Sequence, residues 1–351
     1  MPYTYKDIAK KSGVSITTVS RVINKKDLHK VGKKNREKVE AIIKRLDFTP
    51  NIIARSLVSK KTFNIAVAIK DLEDIINPYF SQVVSGIASV LERRGYYLQL
   101  VRTLSEKEPP LSPYYLKAIQ EKRVDGLILL SEEAGDREVV ELYHKKVPLV
   151  LVNRYIEGEK IPSVLIDNEK GLYDATKALI ESGRRKVLFM AGSFGFQLDR
   201  DRLKGYKKAL LDNNIEFDES LVVEGRFEFD KATAALEKLL AQKKEFNAIA
   251  ASDDVMALAC ITILKGRGIL VPGEVSVIGF NDMLLVPASS PTLSSMRLPL
   301  VDIGKEAANM VLKLINKEKP ERAVVTFIPE LIKRESTGSS GFGERSAEGG
   351  R

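Results

Sequence analysis

The sequence predicts an all-α helix-turn-helix domain at the N-terminus, followed by an α/β domain of two lobes, each a doubly wound parallel sheet. Three observations predict this architecture. Two short amphipathic helical segments flank a glycine-containing turn at the start of the chain. Beyond residue 63, short apolar runs alternate with amphipathic helical stretches, and the alternation starts again near residue 163. Basic residues are concentrated in the first 60 positions, which hold 15 Lys and Arg against 5 Asp and Glu.

The second predicted helix follows Ser15, a good N-cap residue because its hydroxyl can accept a hydrogen bond from a free backbone N–H. Val19, Val22 and Ile23 recur at three- and four-residue spacing, which indicates the apolar stripe of an amphipathic helix. So short a helix needs the support of a larger domain to be stable in water. The opposite face carries side chains suited to base edges and phosphates, namely Ile16, Thr17, Ser20, Arg21 and Asn24.

That support is expected from two flanking helices. Thr4 and Asp7 have the spacing of a capping box that starts the first helix, and Gly13 permits the tight turn after it. A third helix is expected from Lys33 to Leu46. A helical subdomain with a merely solvated polar face is the alternative, but the basic excess favours a nucleic-acid partner. The third helix would close a small core with Val39, Ile42, Ile43 and Leu46.

Several segments resemble the lactose/galactose-repressor family. In the head they are Asp7-Ile8-Ala9, Gly13-Val14-Ser15, Thr18-Val19-Ser20-Arg21-Val22-Ile23-Asn24 and Arg36-Glu37-Lys38-Val39, while Pro50-Asn51 and Ala54-Arg55-Ser56-Leu57 resemble that family's hinge. The similarity continues in weaker blocks to about residue 336. It implies a helix-turn-helix head (1–50), a hinge (51–62) and an effector-binding and dimerisation body (63–336), while a composition rich in Ser, Gly and Glu predicts a disordered tail (337–351). In one departure, the loop between Asn24 and Lys33 is about a residue longer than usual.

The resemblance also implies how DNA is bound. Thr17 and Arg21 would read base edges, and Ile16 would contact an apolar edge such as a thymine methyl. Leu57 matches the leucine that the family wedges into the minor groove; a flexible linker whose leucine packs on the body is the alternative. Two heads of a homodimer would bind a pseudo-palindromic operator. The DNA-binding candidates are Thr4, Ser15, Ile16, Thr17, Thr18, Ser20, Arg21, Asn24, Asn51 and Leu57, with Thr4, Ser15, Asn24 and Asn51 on phosphates.

In the body, apolar runs rich in β-branched residues predict strands, and strands alternating with helices indicate parallel sheets covered on both faces. The family here resembles periplasmic sugar-binding proteins, whose chain crosses between two lobes more than once. The crossings are expected to give one lobe of 63–162 plus 295–323 and another of 163–294 plus 324–336. The predicted strands are 65–69, 98–101, 127–130, 149–152, 164–166, 187–190, 221–223, 248–251 and 275–278.

Ligands of such α/β lobes bind outside the carboxyl ends of the strands. The side chains that fall there are aromatic, amide and acidic, with one arginine, and together they suit a polyhydroxylated ring. For each of them, helix capping or core packing is the alternative role. The effector-binding candidates are Tyr79, Phe80, Asn153, Phe194, Phe196, Arg202, Phe227, Asp253 and Asn281.

The resemblance supports some of these positions more directly than others. Arg202 matches the family's effector-binding arginine, and Tyr79 with Phe80 matches an aromatic pair after the first strand. Asp253-Asp254 replaces the usual Asn-Asp. Asn153 and Asn281 stand where aspartates are common, so two charged acceptors of the family are neutral here.

Other functional classes lack support in the sequence. There is no G-x-x-x-x-G-K-[ST] loop and no G-x-G-x-x-G, so neither a cofactor nor catalysis is expected. Two histidines and one cysteine cannot supply a metal site of the His/Cys type. No apolar run approaches the ~20 residues of a membrane span, and no signal peptide is recognisable. A sugar-binding or transport protein without a regulatory role would leave the basic head unexplained.

The sequence therefore predicts a cytoplasmic DNA-binding transcriptional regulator. We expect a repressor released from its operator by a small sugar, with a nucleobase acting as co-repressor as the alternative. Because the tail contains no leucine heptads, a homodimer is expected rather than a tetramer. The single cysteine, Cys260, suits the reducing conditions of the cytoplasm.

Overall fold

The computed structural model describes residues 3–23, 27–48, 55–56, 59–70, 75–103, 114–130 and 135–338. The chain divides into two compact units, Met1–Phe63 and Asn64–Arg351. Each unit has hydrophobic clusters of its own. Among the helices described, none has the length and the apolar character that crossing a membrane requires.

The first unit contains the α-helices α1 (Tyr5–Ser12), α2 (Ile16–Ile23) and α3 (Lys33–Arg45). Helix α1 begins with the predicted capping box: the Thr4 N–H donates to the Asp7 carboxylate at 2.8 Å, and the Asp7 N–H donates to Thr4 Oγ1 at 3.4 Å. It ends at Gly13, whose φ of 68° lies in the left-handed region that favours glycine. The predicted helix-turn-helix arrangement is confirmed.

These three helices enclose one small core. Each contributes one fully buried side chain, Ile8 from α1, Val19 from α2 and Val39 from α3. Seven buried apolar residues, with six partly buried ones packed against them, allow the unit to fold with very short helices, because the burial of apolar surface compensates for their weak intrinsic stability. The other members of this cluster include the predicted, only partly buried Ile42, Ile43 and Leu46, together with Val31 and Phe48.

The second unit is built from strands that alternate with helices, as predicted. The strands are β1 (Asn64–Ile69), β2 (Tyr97–Arg102), β3 (Gly126–Leu129), β4 (Leu149–Val152), β5 (Ser163–Ile166), β6 (Val187–Ala191), β7 (Val222–Glu224), β8 (Ala248–Ala251), β9 (Ser276–Asn281), β10 (Ser294–Arg297), β11 (Val324–Phe327) and β12 (Glu330–Ile332). The helices are α4 (Pro78–Arg93), α5 (Tyr114–Gln120), α6 (Asp136–His144), α7 (Asn168–Glu181), α8 (Gln197–Asp212), α9 (Phe229–Ala241), α10 (Asp254–Gly266) and α11 (Leu300–Ile315).

The strands form two six-stranded sheets, one in each lobe. In lobe 1 the order is β11-β5-β4-β3-β1-β2, and all the pairings are parallel. In lobe 2 the order is β12-β10-β9-β8-β6-β7, and only the β10–β12 pairing is antiparallel. The predicted fold class, a helix-turn-helix head with two doubly wound lobes, is confirmed.

Three strands lie in a different lobe from the one expected. Strands β5 and β11 pair with each other in lobe 1, although both were assigned to the other lobe from sequence. Strand β10 pairs with β9 in lobe 2, although residues from 295 onward were assigned to lobe 1. The chain therefore crosses between the lobes after β5, β10 and β11. An apolar run identifies a strand, but the sheet that it joins depends on partners far along the chain, which local composition does not reveal.

Each lobe contains a pair of helices whose backbones touch at a glycine. In lobe 1, a Cβ on Gly86 of α4 would lie 2.1 Å from the Val301 carbonyl oxygen of α11. In lobe 2, a Cβ on Gly205 of α8 would lie 1.9 Å from the Glu169 carbonyl oxygen of α7. Because α7 follows the first crossover and α11 the second, these contacts hold the chain firmly to each lobe just after it arrives there.

A short turn ties the end of the described chain to lobe 2. The Ser336 hydroxyl donates to the Val277 carbonyl at 2.6 Å, and the Thr337 and Ser294 hydroxyls lie 2.8 Å apart. Residue 337 was expected to begin a disordered tail, but Thr337 and Gly338 belong to this hydrogen-bonded turn. Serine and threonine favour disorder by composition, but here their hydroxyls form hydrogen bonds that fix the turn. Residues 339–351 lie outside the described part of the chain.

Candidate functional site

Helix α2 presents a mixed polar and apolar face to solvent. Ile16 is 45% exposed and the adjacent Thr17 is exposed, whereas Val19 and Val22 on the opposite face are buried. Arg21 is half-buried. A hydroxyl, a guanidinium and an exposed apolar side chain on one helix face are the groups that read base edges in the major groove.

Three of the DNA-binding candidates, Thr4, Ser15 and Thr18, take part in helix caps. The Ser15 hydroxyl accepts the Thr18 N–H at 3.1 Å and lies 3.0 Å from Thr18 Oγ1, which confirms the predicted N-cap. Hydrogen bonds from Thr4 hold the pKa of the exposed Asp7 carboxyl below its usual value. A hydroxyl has more than one bonding position, so capping is compatible with a phosphate contact at a helix N-terminus.

Three further DNA-binding candidates, Asn24, Asn51 and Leu57, lie outside the described residues, as does part of the loop expected to be longer than usual. Within the expected hinge, the guanidinium carbon of Arg55 lies 3.8 Å from the ring centroid of Phe63. The Ser59 hydroxyl donates to the Arg55 carbonyl at 2.8 Å. The insertion of Leu57 into a minor groove stays a prediction.

The effector-binding candidates follow the carboxyl ends of parallel strands in both lobes. The carboxyl ends of the strands in one parallel sheet share one edge of that sheet, which is where ligands bind in this architecture. In lobe 1 the candidates are Tyr79 and Phe80 after β1 and Asn153 after β4; in lobe 2 they are Phe194, Phe196 and Arg202 after β6, Phe227 after β7, Asp253 after β8 and Asn281 at the end of β9.

Arg202 is buried and makes both hydrogen bonds and an aromatic contact. It is 3% exposed, and its Nε donates to Asn168 Oδ1 at 3.0 Å while Nη1 donates to the Ser252 carbonyl at 2.5 Å. The guanidinium carbon lies 3.9 Å from the ring centroid of Phe280, a cation–π contact. A buried guanidinium requires such compensation, since removing its charge from water is costly.

A chain of hydrogen bonds connects Arg202 to lobe 1. Asn168, the first residue of α7, accepts from Arg202 and donates through Nδ2 to Asn153 Oδ1 at 2.8 Å. The backbone of Asn153 is left-handed, with φ of 53°, a conformation that asparagine adopts more readily than most residues. The structure therefore brings two predicted residues together through a third residue that the sequence had not singled out.

Aromatic side chains are available in both lobes. Phe196 and Phe227 stack with ring centroids 6.1 Å apart and planes inclined at 26°. Tyr79 and Phe80 form an edge-to-face pair at 5.1 Å. Phe194 packs edge-to-face on the buried ring of Phe189, with the ring centroids 6.4 Å apart. This contact is core packing, the alternative to a ligand-binding role for Phe194. Aromatic faces of this kind suit the apolar face of a sugar or the plane of a base.

Asp199 fixes the loop that carries Phe194. Its carboxylate accepts the Gly192 N–H at 3.1 Å, the Ser193 N–H at 2.7 Å and the Ser252 hydroxyl at 2.5 Å. Burial raises the pKa of Asp199, although the nearby Arg202 and these three donors act in the opposite direction. The same part of α8 therefore holds the loop after β6 in place, through Asp199, and carries Arg202.

The acidic pair after β8 has clear structural roles. Asp253 caps α10 by accepting the Met256 N–H at 2.8 Å, and burial raises its pKa to about 6. Asp254 accepts the Met283 N–H at 2.8 Å and the Ser295 hydroxyl at 2.5 Å, and burial raises its pKa to about 8. Helix capping, the alternative role of Asp253, is what the structure shows for it.

Asn281 occupies a turn with unusual backbone geometry. Its φ is 104° and that of Asp282 is 53°, both uncommon for residues other than glycine. The Asp282 carboxylate forms ion pairs with Arg297 and Arg334, each at 2.7 Å. These two arginines hold the turn in place one residue beyond Phe280, and so beside the ring that stacks on Arg202.

Four residues of this site were not identified from sequence. Asn168 and Asp199 stand in the first turns of helices, where such side chains usually serve as caps, and Phe280 reads as an ordinary strand residue. Ser252 contributes its backbone carbonyl to Arg202, which no side-chain pattern reveals. One signal was available: Asp199 and Arg202 are three residues apart on a helix, so they share a face.

Two family models match the chain. The model of bacterial regulatory proteins of the lacI family matches residues 4–51. The model of the periplasmic binding protein-like domain matches residues 176–337. These are the segments that hold the helix-turn-helix and most of lobe 2 with Arg202.

Full-length relatives extend the similarity over nearly the whole chain. Catabolite control protein A of Priestia megaterium is 33% identical over 338 residues, covering 96% of this chain and 100% of the relative. The HTH-type transcriptional repressor PurR of Vibrio atlanticus is 32% identical over 335 residues, covering 94% and 97% respectively.

Solved structures of regulators show the same fold over nearly the whole chain. The complex of the transcriptional regulator CelR with cellobiose gives a TM-score of 0.72 at 31% identity, covering 95% of this chain and 99% of that one. The lac repressor dimer bound to operator and the anti-inducer ONPF shares the fold, with a TM-score of 0.81 at 24% identity over 96% and 99% of the two chains. With a lacI-family head, and with relatives more than 30% identical over almost their full length, this chain belongs to the lacI family of bacterial DNA-binding transcriptional regulators.

Proposed function

We propose that the protein is a repressor that binds operator DNA through α2 and is released when a small sugar binds between the two lobes. The observation that carries the proposal is the bridge from Arg202 through Asn168 to Asn153, which joins a buried cationic side chain of lobe 2 to lobe 1. A ligand that takes the Nε–H of this arginine from Asn168 would alter a contact between the lobes.

On DNA, the exposed face of α2 would lie in the major groove. Arg21 would make a bidentate contact to a guanine, Thr17 would bond a base edge, and Ile16 would contact a thymine methyl. Leu57 would enter the minor groove. Phosphate contacts would come from Thr4, Ser15, Asn24 and Asn51, and these would set the register of the helix without reading sequence.

The unit that binds DNA would be a homodimer in the cytoplasm, with two heads on the two halves of a pseudo-palindromic operator. The lac repressor dimer on its operator, which shares this fold, supports such an arrangement. No catalytic role is proposed, since the relatives compared are transcriptional regulators.

A sugar is favoured as the ligand because the candidate residues combine a planar fork of donors with neutral amides and aromatic faces. The guanidinium of Arg202 can serve adjacent hydroxyls, while Phe196 and Phe227 offer a stacked aromatic surface. The CelR–cellobiose complex, at 31% identity, supports a sugar of this kind.

A nucleobase acting as co-repressor is the second candidate. Amides present a donor and an acceptor side by side, as a base edge does, and Asn153 and Asn281 supply amides where charged acceptors are common in the family. Under this alternative the ligand would strengthen operator binding instead of weakening it.

The decisive experiment is a thermal-shift screen of glucose, cellobiose, glucose 6-phosphate, adenine and guanine, followed by operator titration with each compound that binds. A ligand at ~100 times its dissociation constant adds about 2.7 kcal/mol to stability, which is readily measured. A sugar that raises Tm and weakens operator binding supports the proposal. A base that raises Tm and tightens operator binding replaces it with the co-repressor alternative, and a protein that selects no DNA sequence refutes both.

A further inference from the structure

Asn168 lies where the chain first crosses from lobe 1 to lobe 2. Strand β5 of lobe 1 ends at Ile166, and Asn168 opens α7 of lobe 2 two residues later. Its side chain is buried and has a partner in each lobe, Asn153 at 2.8 Å and Arg202 at 3.0 Å. A polar side chain in that position is bonded to both lobes at a point where the chain passes from one to the other.

Arg202 fixes the direction of these hydrogen bonds. A guanidinium Nε–H can only donate, so the Asn168 atom that faces it must be the carbonyl oxygen. The Asn168 amide nitrogen therefore faces Asn153, and because that nitrogen is a donor, the Asn153 atom must be oxygen. Only one assignment of the two amides satisfies every link.

Arg202 also reaches the third crossover through packing. Its guanidinium stacks on Phe280 at 3.9 Å. A Cβ on Gly171 of α7 would lie 2.7 Å from the Phe280 ring and 2.9 Å from the Pro329 side chain, so both residues pack against this one glycine. Pro329 lies between β11 of lobe 1 and β12 of lobe 2. The ring that stacks on Arg202 and the proline of the third crossover thus pack against the same glycine of α7.

We propose that Asn168 is the positioning residue that couples the ligand site at Arg202 to the arrangement of the lobes, an inference that rests on the proposed function. A ligand group that accepts a hydrogen bond from Arg202 competes with the Asn168 oxygen for the guanidinium. When Asn168 turns away, its donation to Asn153 is lost, and so is the polar link across the first crossover. The arrangement with this link intact is the one that binds operator.

Two substitutions separate this role from a general effect of altering the buried amides. Asn168→Ser adds no charge, and its shorter side chain reaches neither Arg202 nor Asn153, which breaks the link. Asn153→Asp keeps an acceptor for Asn168 and gives it a negative charge, which strengthens a hydrogen bond. Aspartate, like asparagine, also tolerates the positive φ at position 153.

The first measurement is operator affinity without ligand, by fluorescence anisotropy. A neutral hydrogen bond contributes a few-fold to an equilibrium, so Asn168→Ser should weaken operator binding by about threefold or more, whereas Asn153→Asp should tighten it. Asn168→Ala, which also removes both links without adding charge, should weaken binding as Asn168→Ser does, and it serves if the serine variant does not fold.

The second measurement is the distance between the lobes, by pulsed electron spin resonance. Spin labels would be placed at Arg137→Cys in α6 and at Leu270→Cys in lobe 2, both exposed, in samples diluted with unlabelled chain. The native Cys260 is fully buried and will not label. Asn168→Ser should shift or broaden the distance distribution. This arm needs neither DNA nor ligand, so it still gives a result if the proposed function fails.

Three outcomes would overturn the inference. One is an Asn168→Ser variant with wild-type operator affinity, whether or not the lobes move. Another is a change of the same sign for Asn168→Ser and Asn153→Asp, which would indicate an effect of disturbing the buried amides alone. The third is an unchanged distance distribution, because the lobes would then not depend on Asn168.

Discussion

Replacement of Arg202 by alanine should destabilise the body by about 3–5 kcal/mol. The change removes two hydrogen bonds from a charged donor and the cation–π contact with Phe280. It also leaves Asp199 buried without the opposite charge that lowers its pKa. Removing one partner of a buried charge pair costs about 3–5 kcal/mol of stability, and this figure already includes the lost hydrogen bonds. For a domain of this size, each kcal/mol lowers Tm by roughly 2–4 °C.

Arg200→Ala provides a matched control on the same helix. Arg200 also donates to two backbone carbonyls, those of Phe194 and Gly195, each at 2.9 Å, but its side chain is exposed. Because solvent replaces exposed hydrogen bonds and screens the charge, this variant should lose about 1 kcal/mol or less. Urea unfolding followed by circular dichroism measures both variants. Equal losses would refute the argument that the burial of Arg202 sets its energetic importance.

The Arg202→Ala variant also tests release of the operator by ligand. At a temperature where Arg202→Ala is folded, it should bind operator but should no longer be released by the sugar that releases the wild type, because the guanidinium that would bond the sugar hydroxyls is absent. Operator titration with and without that sugar measures this. Full release at the wild-type sugar concentration would remove Arg202 from the ligand site.

Three further predictions concern the head, the buried acid and helix packing. Arg21→Ala should cost about 1–3 kcal/mol of operator affinity and relax the base preference at one position per half-site in binding-site selection. Lys10→Ala, which removes an exposed positive charge from the last turn of α1, should instead weaken binding to all sequences alike, as the loss of a phosphate contact does. An unaltered base preference in Arg21→Ala would mean that Arg21 reads no base. Because the pKa of Asp254 is raised to about 8, the folded state holds the proton of this carboxyl more tightly than the unfolded state does. The unfolding free energy of the wild type should therefore fall as pH rises from ~4 towards 8, by at most ~1.4 kcal/mol per pH unit. Asp254→Asn should flatten that decline in urea titrations at pH 5 and pH 8, and parallel curves would contradict this. Gly205→Ala should destabilise the protein by about 1–3 kcal/mol, because its Cβ would lie 1.9 Å from a backbone oxygen. Gly266→Ala in α10, which has open space around it, should stabilise the protein by up to ~1 kcal/mol. Similar effects of the two substitutions would contradict the close packing of α7 on α8.

Local chemistry explains which parts of the fold were predictable. The cap at Ser15, the turn at Gly13 and the buried Val19 and Val22 all follow from side-chain types at short spacing, and the structure has each of them. Strand positions in the body were likewise close, because fully buried parallel strands are continuous apolar runs.

What could not be predicted depends on contacts between distant parts of the chain. Strand β5 was predicted from its apolar run, but β10 and β11 were not predicted as strands, and only pairing assigns all three to lobes. Asn168 resembles a helix-capping residue until the structure places Asn153 and Arg202 on either side of it. Thr337 reads as part of a polar tail, yet it bonds a serine that precedes it by 43 residues.

The most direct test of ligand control is operator affinity measured as a function of ligand, with the reciprocal measurement of ligand affinity with and without saturating operator. A sugar that binds between the lobes should weaken operator binding about fivefold or more, and operator should weaken sugar binding by the same factor, because the coupling free energy is shared. Sugar binding that leaves operator affinity unchanged would contradict a regulatory role for the cleft.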